Sequence, residues 1–417
     1  MNKSILAGFF LAISSLSAEP TKIAASAIND LGIDLLVHAA TPQENTALSP
    51  YSIQMALAMT YEGAQGETRQ QMAKVLHYPP DEKIASAFSK LQGALADLTK
   101  RSEKLAGGSE SSAGPSEPIV LTIANRLFGQ RGYDFRVAYL TLLKDTFKAP
   151  LETLDFVRSS DDATEQINDW VAKRTRDRIR DLIPANALNK DTRLVLANAV
   201  YFKAPWAEQF NDSATNPGPF HLANGESVDI PMMTRQASFG YAKREGFVAV
   251  SLPYAGGDLQ LLVLLPDTAV GLPGLESKLT AALLIDCASL KNEDIILYLP
   301  KFKLEPPVFA LRKTLESLGM ENAFDVPQGS ANFDGIAPRQ PNDYLYISDI
   351  FHKTFVAIDE KGTEAAAATA VVMMRKTAHL EEKPKPIEVR VDRPFLFAIQ
   401  HRPSGACLFL GRVTDPH

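Results

Sequence analysis

The stretch that most constrains this 417-residue chain is Lys361-Gly362-Thr363-Glu364-Ala365-Ala366-Ala367-Ala368-Thr369-Ala370-Val371-Val372, which directly follows the strand pattern Thr354-Phe355-Val356-Ala357-Ile358. One reading of an Ala-rich run behind a glycine break is a short helix. Read with a period of two, Thr363, Ala365, Ala367, Thr369, Val371 and Met373 share one face, uncharged and mostly small, and Glu364 puts the single charge on the other. That composition suits a strand that slides between two strands already packed on a core.

Next come Met373-Met374-Arg375-Lys376-Thr377-Ala378-His379 and Leu380-Glu381-Glu382-Lys383-Pro384-Lys385-Pro386, whose prolines favour an extended, solvated backbone. Two adjacent basic side chains in an exposed loop read either as a plain solvated segment or as a cleavage site for trypsin-like proteases.

The first quarter of the chain has helical periodicity at Ile23–Val37, Ser52–Tyr61 behind Ser49-Pro50, Glu67–Leu76 and Ile84–Leu98. From Arg101 to Pro118 the composition collapses to Gly, Ser, Glu, Lys and Pro, and 101–118 reads as a flexible surface insertion. Strand patterns follow at Ile119–Phe128, Arg193–Phe202, Phe239–Leu252, Leu259–Leu265, Ile295–Leu299 and Tyr344–Ile358, with helices at Phe135–Thr146, Ala163–Ile179 and Phe309–Leu318. Strands and helices without regular alternation indicate an α+β fold of mostly antiparallel sheets with a helical layer.

Several function classes drop out. The net charge is −6, and no expected helix carries an uninterrupted basic stripe, which argues against nucleic-acid binding. Lys173, Arg174, Arg176, Arg178 and Arg180 form one basic cluster, with Arg174 and Arg178 expected on one helical face; it reads as a solvated face or a polyanion site. There is no Gly-x-Ser-x-Gly elbow, His-Glu-x-x-His, phosphate-binding loop or Cys-x-x-Cys pair, and the seven histidines lack metal-ligand spacing. No catalytic residue, metal or cofactor is nominated.

Met1-Asn2-Lys3-Ser4, the apolar run Ile5–Ile13 and Ser14-Ser15-Leu16-Ser17-Ala18 have the three parts of a secretory signal, so residues 1–18 are expected to be removed on export to the periplasm or outside the cell. The alternative is a short buried helix. No other run reaches the ~20 apolar residues of a membrane span. Cys287 and Cys407 are the two cysteines; Cys407 sits in an apolar run, and both a buried thiol and a disulfide between the two stay open.

Asp359-Glu360-Lys361-Gly362-Thr363-Glu364-Ala365-Ala366 resembles the hinge of the serpins, and Val391-Asp392-Arg393-Pro394-Phe395-Leu396-Phe397-Ala398-Ile399 resembles the serpin signature beyond the reactive-centre loop. The similarity continues at Asn45-Thr46-Ala47-Leu48-Ser49-Pro50-Tyr51-Ser52-Ile53, Gly63-Ala64-Gln65-Gly66-Glu67-Thr68, Asn198-Ala199-Val200-Tyr201-Phe202-Lys203-Ala204-Pro205-Trp206 and Leu408-Phe409-Leu410-Gly411-Arg412-Val413.

The resemblance implies one serpin domain over 19–417, monomeric, with hinge and reactive-centre loop at 360–392. It implies a non-enzymatic suicide-substrate inhibitor that traps its protease as an acyl-enzyme while the cleaved loop enters the main sheet. It implies a hinge of Glu360, Gly362, Thr363, Glu364, Ala365, Ala366, Ala367 and Ala368. Ser49, Ser52, Asn198 and His352 would form a shutter under the sheet centre, with Trp206 at the breach where the loop enters. By the family's spacing the reactive bond is Lys376-Thr377 and the target a trypsin-like serine protease. The 18 residues from Lys376 to Pro394 leave cuts after Arg375 or Met374 open, the former suiting papain-like cysteine proteases that prefer an apolar neighbour. A non-inhibitory serpin acting as a binding or chaperone-like protein is the alternative, and the uncharged hinge face argues against it.

Overall fold

The computed structural model describes residues 20–38, 41, 43–80, 82–107, 117–341, 343–364 and 385–417. The helices are α1 Pro20–His38, α2 Pro50–Tyr61, α3 Gly66–Val75, α4 Ile84–Gly107, α5 Val137–Asp145, α6 Ser160–Arg174, α7 Leu272–Glu276, α8 Ala281–Asp286 and α9 Arg312–Ser317. The strands are β1 Thr46–Leu48, β2 Val120–Gln130, β3 Glu152–Leu154, β4 Leu194–Pro205, β5 Asn216–His221, β6 Ser227–Arg244, β7 Phe247–Pro253, β8 Leu259–Pro266 and β9 Asn292–Pro300. They continue with β10 Phe302–Leu304, β11 Phe309–Ala310, β12 Phe351–Thr354, β13 Val356–Ile358, β14 Gly362–Thr363, β15 Ile387–Arg390, β16 Phe395–His401 and β17 Ala406–Val413.

Among the described residues these strands make two sheets. The larger runs β1-β17-β16-β8-β7-β6-β9-β15, with β5 also on β6; the other runs β10-β13-β14-β4-β12-β11, with β2 joining β4 to β3. Most pairings are antiparallel, while β4·β12, β2·β3 and β9·β15 are parallel. The α+β architecture with helices packed on mostly antiparallel sheets is the one expected from the sequence.

Helix α2 is buried on every side, which suits a helix enclosed by the core. It starts where the sequence places a cap: the Ser49 hydroxyl accepts from the Ser52 N–H at 3.3 Å, and Pro50 supplies a first-turn residue with no donor to satisfy. Strand β4 is covered on both faces, so it reads as a continuous apolar run. Leu194, Leu196, Val200, Phe202 and Ala204 face the main core, whereas Val195, Ala197 and Ala199 face a smaller cluster that holds Ile167 and Val171 of α6.

Several expectations need correction. Residues 101–107, read as part of the insertion, complete α4; buried Ser102 accepts the Ile119 N–H at 2.6 Å and Arg101 pairs with Asp258 at 2.6 Å, tying this end down. The helix expected to Ile179 stops at Arg174, because the Thr175 hydroxyl donates to the Val171 carbonyl and accepts from the Ile179 N–H, closing a turn. Arg176, Asp177 and Asp181 are left-handed, so Arg174 and Arg178 share no helical face. The single strand expected over Phe239–Leu252 is a hairpin between β6 and β7 that turns at Gly246, φ +86°. Phe309–Ala310 is strand rather than helix, Tyr344–Ile350 lies outside the strands, and α7 and α8 were not anticipated. Cys287 and Cys407 are both free and buried, with burial pushing their thiols up to about 11 and about 12.

Phe202 joins the two sheets: its ring lies 5.3 Å from Tyr254 and 6.0 Å from Phe409 of β17. Phe202→Ala should therefore cost about 3–5 kcal/mol, read as a lower urea midpoint; a change well under ~1 kcal/mol would show that this contact does not bind the sheets together.

Candidate functional site

The site is a seam along one edge of β4. In its first half β4 pairs in parallel with β12, Ala197 to Val200 opposite Phe351 to Thr354. In its second half the neighbour is β14, antiparallel, with Thr363 opposite Ala204 and Gly362 opposite Pro205. Strand β14 lies between β4 and β13, where Thr363 faces Ile358. The sheet is thus shut at one end and wedged at the other.

The wedge is a tight hairpin. The Asp359 N–H donates to the Gly362 carbonyl at 3.0 Å, and the Asp359 carboxylate accepts from the Lys361 and Gly362 N–H groups at 2.9 and 3.1 Å. Burial pushes the Asp359 carboxyl up, against those two amides. A Cβ on Gly362 would lie 2.0 Å from the Ala204 carbonyl oxygen and 2.8 Å from the Pro205 Cα, so only glycine lets the hairpin approach β4 this closely.

Trp206 holds the hairpin. Its backbone N–H donates to the Lys361 carbonyl and its indole N–H to the Asp359 carbonyl, both at 2.9 Å. Its ring stacks on Tyr254 at 4.7 Å and 11°, and the Tyr254 and Thr363 hydroxyls share a 2.6 Å hydrogen bond. Thr363 therefore faces the main core, while Glu364 faces the other side of the sheet and pairs with Arg178. Glu360 meets Lys301 and the Thr215 hydroxyl, each at 2.8 Å; burial opposes its charge, but the Lys301 ammonium and Thr215 hold its carboxyl below the usual range.

At the shut end the polar residues form one network. The Ser49 N–H donates to His352 Nε2 at 3.0 Å, so Nδ1 carries the proton and donates to Asn198 Oδ1 at 2.6 Å. Asn198 Nδ2 donates to Asn125 Oδ1 at 3.0 Å, which also accepts the Ser52 hydroxyl at 2.7 Å. The Ser49 hydroxyl donates to the Leu408 carbonyl at 2.6 Å, reaching β17. Burial lowers the His352 pKa to about 3, so the ring stays neutral.

The structure thus brings Ser49, Ser52, Asn198 and His352 together and places Trp206 on the hairpin that carries Glu360, Gly362 and Thr363, which it grips at Asp359 and Lys361. Asn125 completes the network and was missed; with Thr122 and Arg126 also polar in the strand pattern Ile119–Phe128, nothing in the sequence singled it out. Ala365, Ala366, Ala367 and Ala368, with Met374, Arg375, Lys376 and Thr377, lie outside the described residues. Beyond them β15 lies parallel to β9, and Arg393 donates to the Pro266 carbonyl at 2.7 Å. Among the described residues no group of His, Cys, Asp and Glu is placed to hold a metal, and no helix is long and apolar enough to cross a membrane.

A mixed sheet with a glycine-led hairpin wedged beside its central strand defines a recognisable class. The serpin (serine protease inhibitor) family model matches residues 26–416, and the chain belongs to that family. It is 36% identical over 392 residues to a serpin-like protein of Thermococcus kodakarensis, covering 94% of this chain and 85% of that one. It is 36% identical over 413 residues to the leukocyte elastase inhibitor of Bos taurus, covering 97% of this chain and 100% of that protein. Uncleaved ovalbumin superposes with TM-score 0.76 at 30% identity, covering 94% of this chain and 100% of ovalbumin. A cleaved serpin, 42Da, superposes with TM-score 0.77 at 31% identity, covering 96% and 100%.

Two outcomes follow from this geometry. Gly362→Ala should displace the hairpin, costing about 1–3 kcal/mol and shifting Trp206 emission to the red; an unchanged spectrum would contradict the close approach. His352 binds its proton less readily folded than unfolded, so its contribution is full above pH 6.5 and is lost as pH falls toward about 3. Between pH 6.5 and 5, above the main carboxylate range, urea midpoints should fall more steeply for the parent than for His352→Gln. Parallel profiles would contradict a neutral buried His352.

Proposed function

We propose that this serpin is a suicide-substrate inhibitor of trypsin-like serine proteases. The observation that carries the reading is β14, already seated antiparallel in the mouth of the seam. Continuing its register from Thr363 opposite Ala204 would set Ala365 opposite Phe202, Thr369 opposite Asn198 and Met373 opposite Leu194. On the other side, the register from Thr363 opposite Ile358 would set Thr369 opposite His352. The small face of Thr363, Ala365, Ala367, Thr369, Val371 and Met373 would then lie toward the main core, with little volume to overpack it.

In the proposed reaction the protease serine attacks the Lys376 carbonyl, expels the Thr377 amine and forms an ester. The freed segment then enters the seam and carries the tethered protease along. Inhibition is a race between insertion and hydrolysis of that ester. The basic pair Arg375-Lys376 supports a trypsin-like target; the name of the Bos taurus relative supports an inhibitor over a binding or chaperone-like protein. Cleavage after Arg375 would keep a basic residue at the cut but set Met374 beside it, which also suits papain-like cysteine proteases, and cleavage after Met374 would point to other serine proteases. The three-part segment 1–18 supports export.

Incubation with trypsin should give a complex that survives boiling in SDS, with a new amino terminus at Thr377 or Lys376. Cleavage without a complex would overturn the proposal. Ala365→Glu should convert the inhibitor into a substrate by forcing a charge beneath the entering strand, and Thr363→Arg should do so by driving the seated β14 out of the mouth of the seam. A variant that inhibits as well as the parent would show that the inward face is misassigned.

A further inference from the structure

Arg178 belongs to the basic cluster that begins in the last turn of α6 and runs past its end, and the inhibitory reading gives that cluster no role. Its placement is fixed from three sides. The Arg178 N–H donates to the Thr175 carbonyl at 3.0 Å, within the turn that Thr175 closes after α6. Its guanidinium lies 5.3 Å from the centre of the Phe355 ring, at the junction of β12 and β13. Its Nε donates to the carboxylate of Glu364, the residue directly after β14.

Glu364 is held in an unusual state. Its N–H donates to the Ala357 carbonyl at 2.8 Å, one rung past the Thr363 pairing. Its φ is +44°, a left-handed conformation that a side-chain-bearing residue adopts only where its surroundings impose it. Its side chain is 13% exposed, and Oε2 is buried without a hydrogen-bond partner among the described residues. Arg178 therefore supplies the contact that keeps this carboxylate at the sheet surface.

We propose that Arg178 is a positioning residue for the reactive-centre loop: by pinning Glu364 it sets the depth to which the hinge rests in the sheet and keeps the mouth of the seam wedged open. The inference rests on the inhibitory reading above. A hinge engaged in advance gives the cleaved loop a formed first step for insertion, which favours trapping over escape of the protease. Without the pair β14 would leave the ladder more often, and insertion would begin by reopening the seam.

The test compares the full-length parent with Arg178→Ala, Glu364→Gln and the double exchange Arg178→Glu with Glu364→Arg. Hydrogen exchange at the Glu364 amide should quicken about fivefold in each single variant, the factor that a partly exposed ion pair supports, and the exchanged pair should restore it. The number of inhibitor molecules consumed per trypsin trapped should rise in the single variants and return with the exchanged pair. Unchanged amide exchange in both single variants, or no restoration by the exchanged pair, would overturn the positioning role. A parent that trypsin cuts without forming a complex would overturn the inhibitor reading instead, and amide exchange would still decide what holds the hinge.

Discussion

Everything distinctive in this molecule depends on β4 having two neighbours along one edge. A strand normally keeps its partner, because each rung of the ladder satisfies backbone groups that burial would otherwise orphan. Here the β12 pairing covers only Ala197 to Val200, and β14 takes over at Ala204 and Pro205. A change of partner puts a fault line into the middle of a sheet covered on both faces.

The two ends of that line are built from different chemistry. The shut end is a parallel pairing, the weaker kind per residue, reinforced by His352, Asn198, Asn125 and the two serines of the α2 start. Such a network is stable only when every member is satisfied, and a strand coming between β4 and β12 would separate Asn198 from His352. On the proposed reading the strand that enters brings the hydroxyl of Thr369 to that level, so the parted polar groups gain a new partner. The open end is held by Trp206, Tyr254 and Thr363 on the core side and by Arg178 and Glu364 on the other.

What the sequence made legible was local. The hinge face could be read because alternation separates Thr363 from Glu364, and the α2 start because Ser49-Pro50 is a cap with a mechanism. The family motifs supplied Ser49, Ser52, Asn198, His352 and Trp206, which no periodicity would have grouped. Asn125 stayed hidden because its partners, Ser52 and Asn198, are each 73 residues away and meet it only through the β2·β4 register and α2. The Arg178–Glu364 pair stayed hidden because it depends on α6 ending at Arg174, and a side-chain hydroxyl, not a helix breaker, ends it. The end of α4 was misread for the opposite reason: a composition that suggests disorder is overridden by one buried serine and one ion pair.

The claim at the centre is that the seam accepts the chain's own cleaved loop as a strand. Thermal unfolding of the protein before and after a single cut within Arg375–Thr377 tests it most directly. Insertion predicts that the cut protein, its two pieces still together, unfolds at a distinctly higher temperature than the intact one, because a new ladder on both sides of the seam replaces the short β4·β12 pairing. A midpoint that is unchanged or lower after the cut would contradict the account.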